Sequence, residues 1–179
     1  LLKTGIGMSF MQNSRPASGA EHIIAHLIEC IELQDNIIPN LHGDDVGVCT
    51  LELLKYYNEL AELSSVTAQH ERVDWDEIYD FYGPLQGEIK KMNHPDNIID
   101  AVTPEKIEEL WSEIVKAIKG VPSYSECKAA MEKAGCKTTV EDIKKNQKLF
   151  DDCVKYSPYM RRRLTLLRLN NMINKNQVL

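Results

Sequence analysis

Helix start and stop signals recur along this sequence, while no stretch alternates apolar and polar residues long enough for a convincing strand. That pairing constrains the fold more than any other feature, because the apolar residues must then be buried on helix faces. Ser18-Gly19-Ala20-Glu21 reads as a capping box, and behind it Ile23, Ile24, Leu27, Ile28 and Ile31 form an apolar face at helical spacing. Asn36 to Asn40 reads as a loop closed by Pro39. A second long helix is expected over about 42–65, with Val46, Leu51, Leu53, Leu54, Tyr57 and Leu60 facing the core. Gly43 and Gly47 in its first turns each cost about 1 kcal/mol against Ala, which suggests that something approaches the backbone there. Further helices are expected over 75–82, from Pro84, from Thr103-Pro104 to a left-handed stop at Gly120, and from the Ser123/Glu126 capping box to Gly135. Two more are expected over about 140–156 and from Ser157-Pro158 through Leu164, Leu167 and Leu169. Linkers are short and no internal repeat is visible. The expectation is an all-α, multi-helix bundle of seven to nine helices, occupying residues 1–179 as one domain.

Composition narrows the function classes. The 179 residues carry a formal net charge of −6, which argues against general nucleic-acid or anionic-membrane binding, since both need surplus Lys and Arg. Arg161-Arg162-Arg163 is a local exception, read as a solvated helix face or as ion pairing within an acidic chain. The five cysteines show no Cys-x-x-Cys pair, which fits reduced thiols in the cytoplasm better than a disulfide framework. No apolar run reaches the roughly 18–20 residues of a membrane span. Leu1-Leu2-Lys3 shows no charged leader, and the lack of an initiator Met suggests a piece of a longer protein.

The chemistry concentrates near the start. Three of the five histidines, His22, His26 and His42, fall within 21 positions. His22 and His26 stand at i and i+4 of the first capped helix and so share a face, while His42 opens the next. Two imidazoles from different helices plus a carboxylate make an ordinary catalytic zinc set, although histidines at this spacing are more often structural or exposed than ligating. His70 and His94 lie in polar surroundings and are expected to be exposed. Asp74 to Glu77 and Glu105 to Glu113 read as helix starts and solvent faces, and Cys49 as a buried thiol.

The run Ser14-Arg15-Pro16-Ala17-Ser18-Gly19-Ala20-Glu21-His22, then His26, then Leu41-His42-Gly43 with Val46 and Gly47, resembles the signature of the sn-glycerol-1-phosphate dehydrogenase family. A similar His-x-x-x-His and later His-Gly mark its superfamily, which includes dehydroquinate synthase, glycerol dehydrogenase and iron-type alcohol dehydrogenases. The strong match covers about positions 5 to 50. Arg163-Leu164-Thr165-Leu166-Leu167 is a weaker likeness, with Leu in place of the family's aromatic residue.

The resemblance implies the helical C-terminal domain of a cytoplasmic, metal-dependent NAD(P) dehydrogenase that interconverts dihydroxyacetone phosphate and sn-glycerol-1-phosphate. His22 and His42 match the family's two metal-ligating histidines, whose third partner is an Asp in the preceding nucleotide-binding domain. The expected metal is Zn²⁺, or Ni²⁺ or another divalent ion. His26 matches a position that takes part in proton transfer. Arg15 and Ser18, at the start of a helix whose free N–H groups suit an anion, are candidates for the phosphate end of the substrate. No Gly-rich strand–turn–helix is present, so NAD(P)H would be bound mainly by the absent N-terminal domain, and the chain alone is expected to be inactive. Leu1, Leu2, Ile6, Met8, Phe10 and Met11 are expected contacts with that domain or in a homo-oligomer. Two alternatives remain open: a glycerol dehydrogenase-like or dehydroquinate synthase-like domain, and a metal-free helical interaction module.

Overall fold

The computed structural model describes residues 2–14 and 17–174, leaving Arg15 and Leu1 outside the described residues. The protein is all helical. In order, the helices are α1 (Leu2–Met11), α2 (Ala20–Gln34), α3 (His42–Ala61), α4 (Trp75–Tyr82), α5 (Gln86–Asn93), α6 (Pro104–Ile118), α7 (Tyr124–Lys133), α8 (Gln147–Tyr156) and α9 (Leu166–Asn170). Two 3₁₀ turns, Gly83–Leu85 and Ser157–Tyr159, both built around a proline, join α4 to α5 and follow α8. Among the described residues no strand forms beyond an isolated antiparallel bridge between Ala68 and Ile173, and no helix is long and apolar enough to cross a membrane.

Helices α2 and α3 form the central pair. The apolar face read from the sequence is buried: Ile24, Leu27 and Ile28 meet Val48, Cys49 and Leu53 in one core, completed by Phe150 and Cys153 of α8 and Tyr82 of α4. Fully burying side chains of this size stabilises by about 1.5–3 kcal/mol each. A second core gathers Leu60 and Ala61 at the end of α3 with Ile107 and Trp111 of α6 and Met172. The Trp111 indole N–H donates to the Leu63 carbonyl at 2.9 Å, so this large ring is buried without leaving its polar atom unpaired.

Several boundaries differ from the expectation. The first capping box does not form in full: Gly19, not Ser18, is the N-cap of α2 and no side chain caps it, although the Glu21 carboxylate does accept from the Gly19 N–H at 2.8 Å. Helix α3 stops at Ala61 rather than Ser65, and residues 137–146 are turns, not the first half of α8. In those turns Asp142 accepts from the Thr138 and Thr139 N–H groups, and Lys144 adopts a positive φ, so local side-chain bonds win over helix continuation. The final helix is likewise confined to α9, after a 3₁₀ turn. Gly135 is left-handed (φ 72°), but Gly120 is not among the positive-φ residues, and α6 ends without that device. Gly47 does meet a close neighbour, since a Cβ there would lie 3.0 Å from Met131 Cε of α7; Gly43 meets none.

The second capping box forms in full, with Ser123 and Glu126 exchanging bonds at the start of α7. Ser123→Ala is expected to lower unfolding free energy by about 1 kcal/mol in urea melts.

Candidate metal centre

Helix α2 carries His22, His26 and Glu29 at i, i+4 and i+7, one stripe on one face. The buried stripe beside it, Ile24, Leu27 and Ile28, clamps α2 onto α3, and that clamp brings His42 at the start of α3 against the polar stripe. All three imidazoles converge. Ring centroids are 4.8 Å apart for His26 and His42, 5.4 Å for His22 and His42, and 6.4 Å for His22 and His26.

Glu29, which the sequence reading passed over, sits between two of them. Its carboxylate oxygens face His42 Nδ1 at 2.6 Å and His26 Nδ1 at 3.2 Å. Partial burial pushes the Glu29 carboxyl up, but the hydrogen bonds and charge of His42 and His26 outweigh it and hold the group below its ordinary value of 4.5. His22 is engaged elsewhere: its Nδ1 lies 2.8 Å from Glu21 Oε1, the oxygen that also accepts from Gly19 N–H. The helical spacing from His26 to Glu29 was a readable signal for the carboxylate; its bond to His42 was not, because it depends on how α2 and α3 pack.

Among the described residues, donor atoms of His26, Glu29 and His42 lie within 4.8 Å of one another. Ligand atoms around a tetrahedral zinc ion are roughly 3.4 Å apart, so modest rotamer adjustment brings this set to bonding positions. Neutral imidazole nitrogens and an ionised carboxylate are also the donor types that zinc and nickel take. The residues therefore fit a divalent ion. The centre faces solvent, with the His26 and His42 side chains 41% and 44% exposed and Glu29 19%.

The anion end lies at the start of the same helix. Ser18 and Gly19 border a cleft of about 350 Å³ that Arg162, Arg163 and Thr165 line from the other side. Arg163 donates to the Ser18 carbonyl and to Ser14 Oγ, and Arg162 to the Asp96 carbonyl at 3.0 Å. These partners are all neutral, and among the described residues neither guanidinium forms an ion pair; of the two readings given for this cluster the solvated one fits, with Arg161 and Arg162 exposed, although in a bend and not on a helix. His70 is exposed as expected; His94 is half-buried with its ring edge-on to Trp75. Cys49 is fully buried, as expected, and burial pushes its thiol far above the usual range.

An all-helical unit that sets three histidines and a glutamate at the junction of two helices is the class defined by the fold and this centre. Comparison with known proteins gives the family. The chain is 30% identical over 135 residues to a glycerol-1-phosphate dehydrogenase [NAD(P)+] of Geobacillus thermodenitrificans, covering 75% of this chain and 28% of that protein. It is 28% identical over 175 residues to the Geobacillus stearothermophilus enzyme of the same name, covering 97% of this chain and 37% of that protein. A 61-residue stretch is 44% identical to the same enzyme from Bacillus velezensis. No family model matches the chain, and no solved structure does. These relatives cover up to 97% of the chain, consistent with a fragment of the glycerol-1-phosphate dehydrogenase family, a family of dehydrogenases, and the chain spans about a third of their length.

Proposed function

We propose that this chain is the metal- and substrate-binding domain of an NAD(P)-dependent dehydrogenase that interconverts dihydroxyacetone phosphate and sn-glycerol-1-phosphate. One observation carries the reading: the histidines of the matched signature, 20 positions apart at their extremes, meet in one cluster with a carboxylate. By resemblance, His22 and His42 are the histidine ligands. A bound Zn²⁺ or Ni²⁺ would supply Lewis acidity toward a carbonyl or hydroxyl oxygen.

The chain's own residues do the rest. Glu29 accepts from His26 and fixes the ring, leaving the other ring nitrogen, on a solvent-accessible side chain, to take or return a proton. Ser18 holds the phosphate end together with Arg15, which lies outside the described residues, and Arg162 and Arg163 add positive charge where they line the cleft that Ser18 borders. Gly19 precedes His22 by three residues, about 4.5 Å of helix rise, so a phosphate at the cleft and a reacting oxygen at the histidines fall within one small substrate. NAD(P)H would be held by a nucleotide-binding domain outside this sequence, and the compartment would be the cytoplasm. Ile6, Phe10 and Met11 of α1 are exposed and apolar, surfaces for that domain or for self-association in a homo-oligomer.

The test is calorimetry on the zinc-loaded chain with dihydroxyacetone phosphate, unphosphorylated dihydroxyacetone and glycerol. The phosphorylated ketone should bind at least tenfold more tightly, and Ser18→Ala with Arg163→Ala should remove the difference. Equal affinities would favour a glycerol dehydrogenase-like role, and no binding of metal or ligand a metal-free interaction module. The chain alone should not oxidise NADH.

A further inference from the structure

We infer that the chain carries a second binding site, a pocket where α3, α8 and α9 meet, for a small organic cation: an apolar body bearing an ammonium group. The pocket shares no residue with the histidine cluster or with the cleft at Ser18, so it stands or falls apart from the proposed function. Its cavity is about 270 Å³. Apolar cavities of about 150 Å³ already admit benzene, so this one has room for a six-membered ring and a short arm.

The floor is the core itself. Ile24 of α2, Leu53 of α3, Phe150 of α8 and Leu167 of α9 line the pocket, and all four are buried. They belong to the cluster that packs α2 against α3 and α8, so the cavity exists before any ligand arrives. Such a floor favours an apolar body over a strongly hydrated one.

The mouth has the opposite character, and its charge has one sign. Glu52 and Asp151 reach solvent from different helices, and no Lys, Arg or His joins them in the lining. Lys55 pairs with Glu52 at 2.6 Å. Asp151 accepts from the neutral Gln147 amide at 2.8 Å, and among the described residues no cation pairs with it. Asn170, also in the lining, keeps a buried amide oxygen without a hydrogen-bond partner. The polar groups left short of a partner here are acceptors. They repel an anion and ask a ligand for N–H donors, above all for positive charge. A ring seated on the floor with its ammonium at Asp151 meets both demands. A phosphate-bearing ligand, the kind that suits the Ser18 cleft, meets neither.

The test is isothermal calorimetry on the whole chain with three probes of one shape: phenethylamine, phenethyl alcohol and phenylacetate. The amine, protonated at neutral pH, should bind one per chain and about tenfold more tightly than the alcohol, with phenylacetate weaker than either. Asp151→Asn keeps an oxygen for Gln147 but removes the charge. It should bring the amine down to the affinity of the alcohol and leave the alcohol unchanged. Added salt should narrow the preference for the amine in the wild type. Val154→Phe, which puts a ring into the cavity from α8, should abolish binding of all three, with circular dichroism to confirm folding. If that variant does not fold, Asp151→Asn decides alone. Equal affinity for amine and alcohol in the wild type, or a preference that survives Asp151→Asn, overturns the inference, as does failure of the amine to bind.

Discussion

Arg168→Ala is expected to lower unfolding free energy by about 3–5 kcal/mol. Arg168 is fully buried, its Nη2 lies 2.9 Å from Glu71 Oε2 and 3.1 Å from Asn97 Oδ1, and its guanidinium stacks 4.2 Å from the Tyr159 ring. Glu71 is 4% exposed and also accepts from Asn171, so removing the cation strands a buried carboxylate between α9 and the 68–75 segment. The pair is not by that token a net gain, because two of the three guanidinium nitrogens, Nε and Nη1, are buried without a partner and desolvation offsets the attraction. The double variant Arg168→Met, Glu71→Leu should therefore recover most of the loss. Urea denaturation of the two singles and the double gives the coupling; a double variant as unstable as the sum of the singles would show that packing, not charge compensation, governs the site.

Lys145→Ala is the second. The Lys145 side chain, 3% exposed, contacts Glu32 and lies 3.9 Å from Asp45 Oδ2, joining α2, α3 and the 137–146 turns. One cation faces two carboxylates, and Glu32 Oε2 and Asp45 Oδ2 have no hydrogen-bond partner. Burial is the main cause that pushes the Asp45 carboxyl above its ordinary 3.8; a hydrogen bond from Asn40 and the charge of Lys145 oppose it, while Glu32 and Glu29 add to it. A raised folded value means that the native state takes up the proton more readily than the unfolded chain. That contribution to stability is full below 3.8 and is lost as pH rises through the folded value. Removing Lys145 widens the gap. The variant should lose about 3–5 kcal/mol at neutral pH, with the difference from wild type shrinking as pH is lowered toward 4. A loss that does not change with pH, measured by denaturation at several pH values, would exclude the two carboxylates as its source.

Much of this protein is legible in its sequence because the information is local. Helix class, the apolar faces of α2 and α3, the starts of α4, α6 and α7, and the i,i+4 histidine pair all follow from spacing and cap chemistry within a few residues. The misread boundaries are places where a distant or competing bond decides. Ser18 does not cap α2, since the helix starts one residue later with Gly19 as its N-cap, and the Ser18 carbonyl instead accepts from Arg163, 145 positions away. Residues 137–146 carry helix-compatible spacing, yet Asp142 folds them into turns that deliver Lys145 to Glu32.

The candidate centre divides the same way. The sequence by itself determined that three imidazoles lie near each other along the chain and that two share a helix face. Only the tertiary structure decided which of them meet a carboxylate, because the Glu29–His42 contact depends on the depth and rotation at which α2 packs on α3, and burial of Ile24, Leu27 and Ile28 against Val48, Cys49 and Leu53 sets both. It also decided that Arg168 and Lys145, indistinguishable in sequence from surface cations, are core residues, since whether a charge is buried depends on what the rest of the chain places around it.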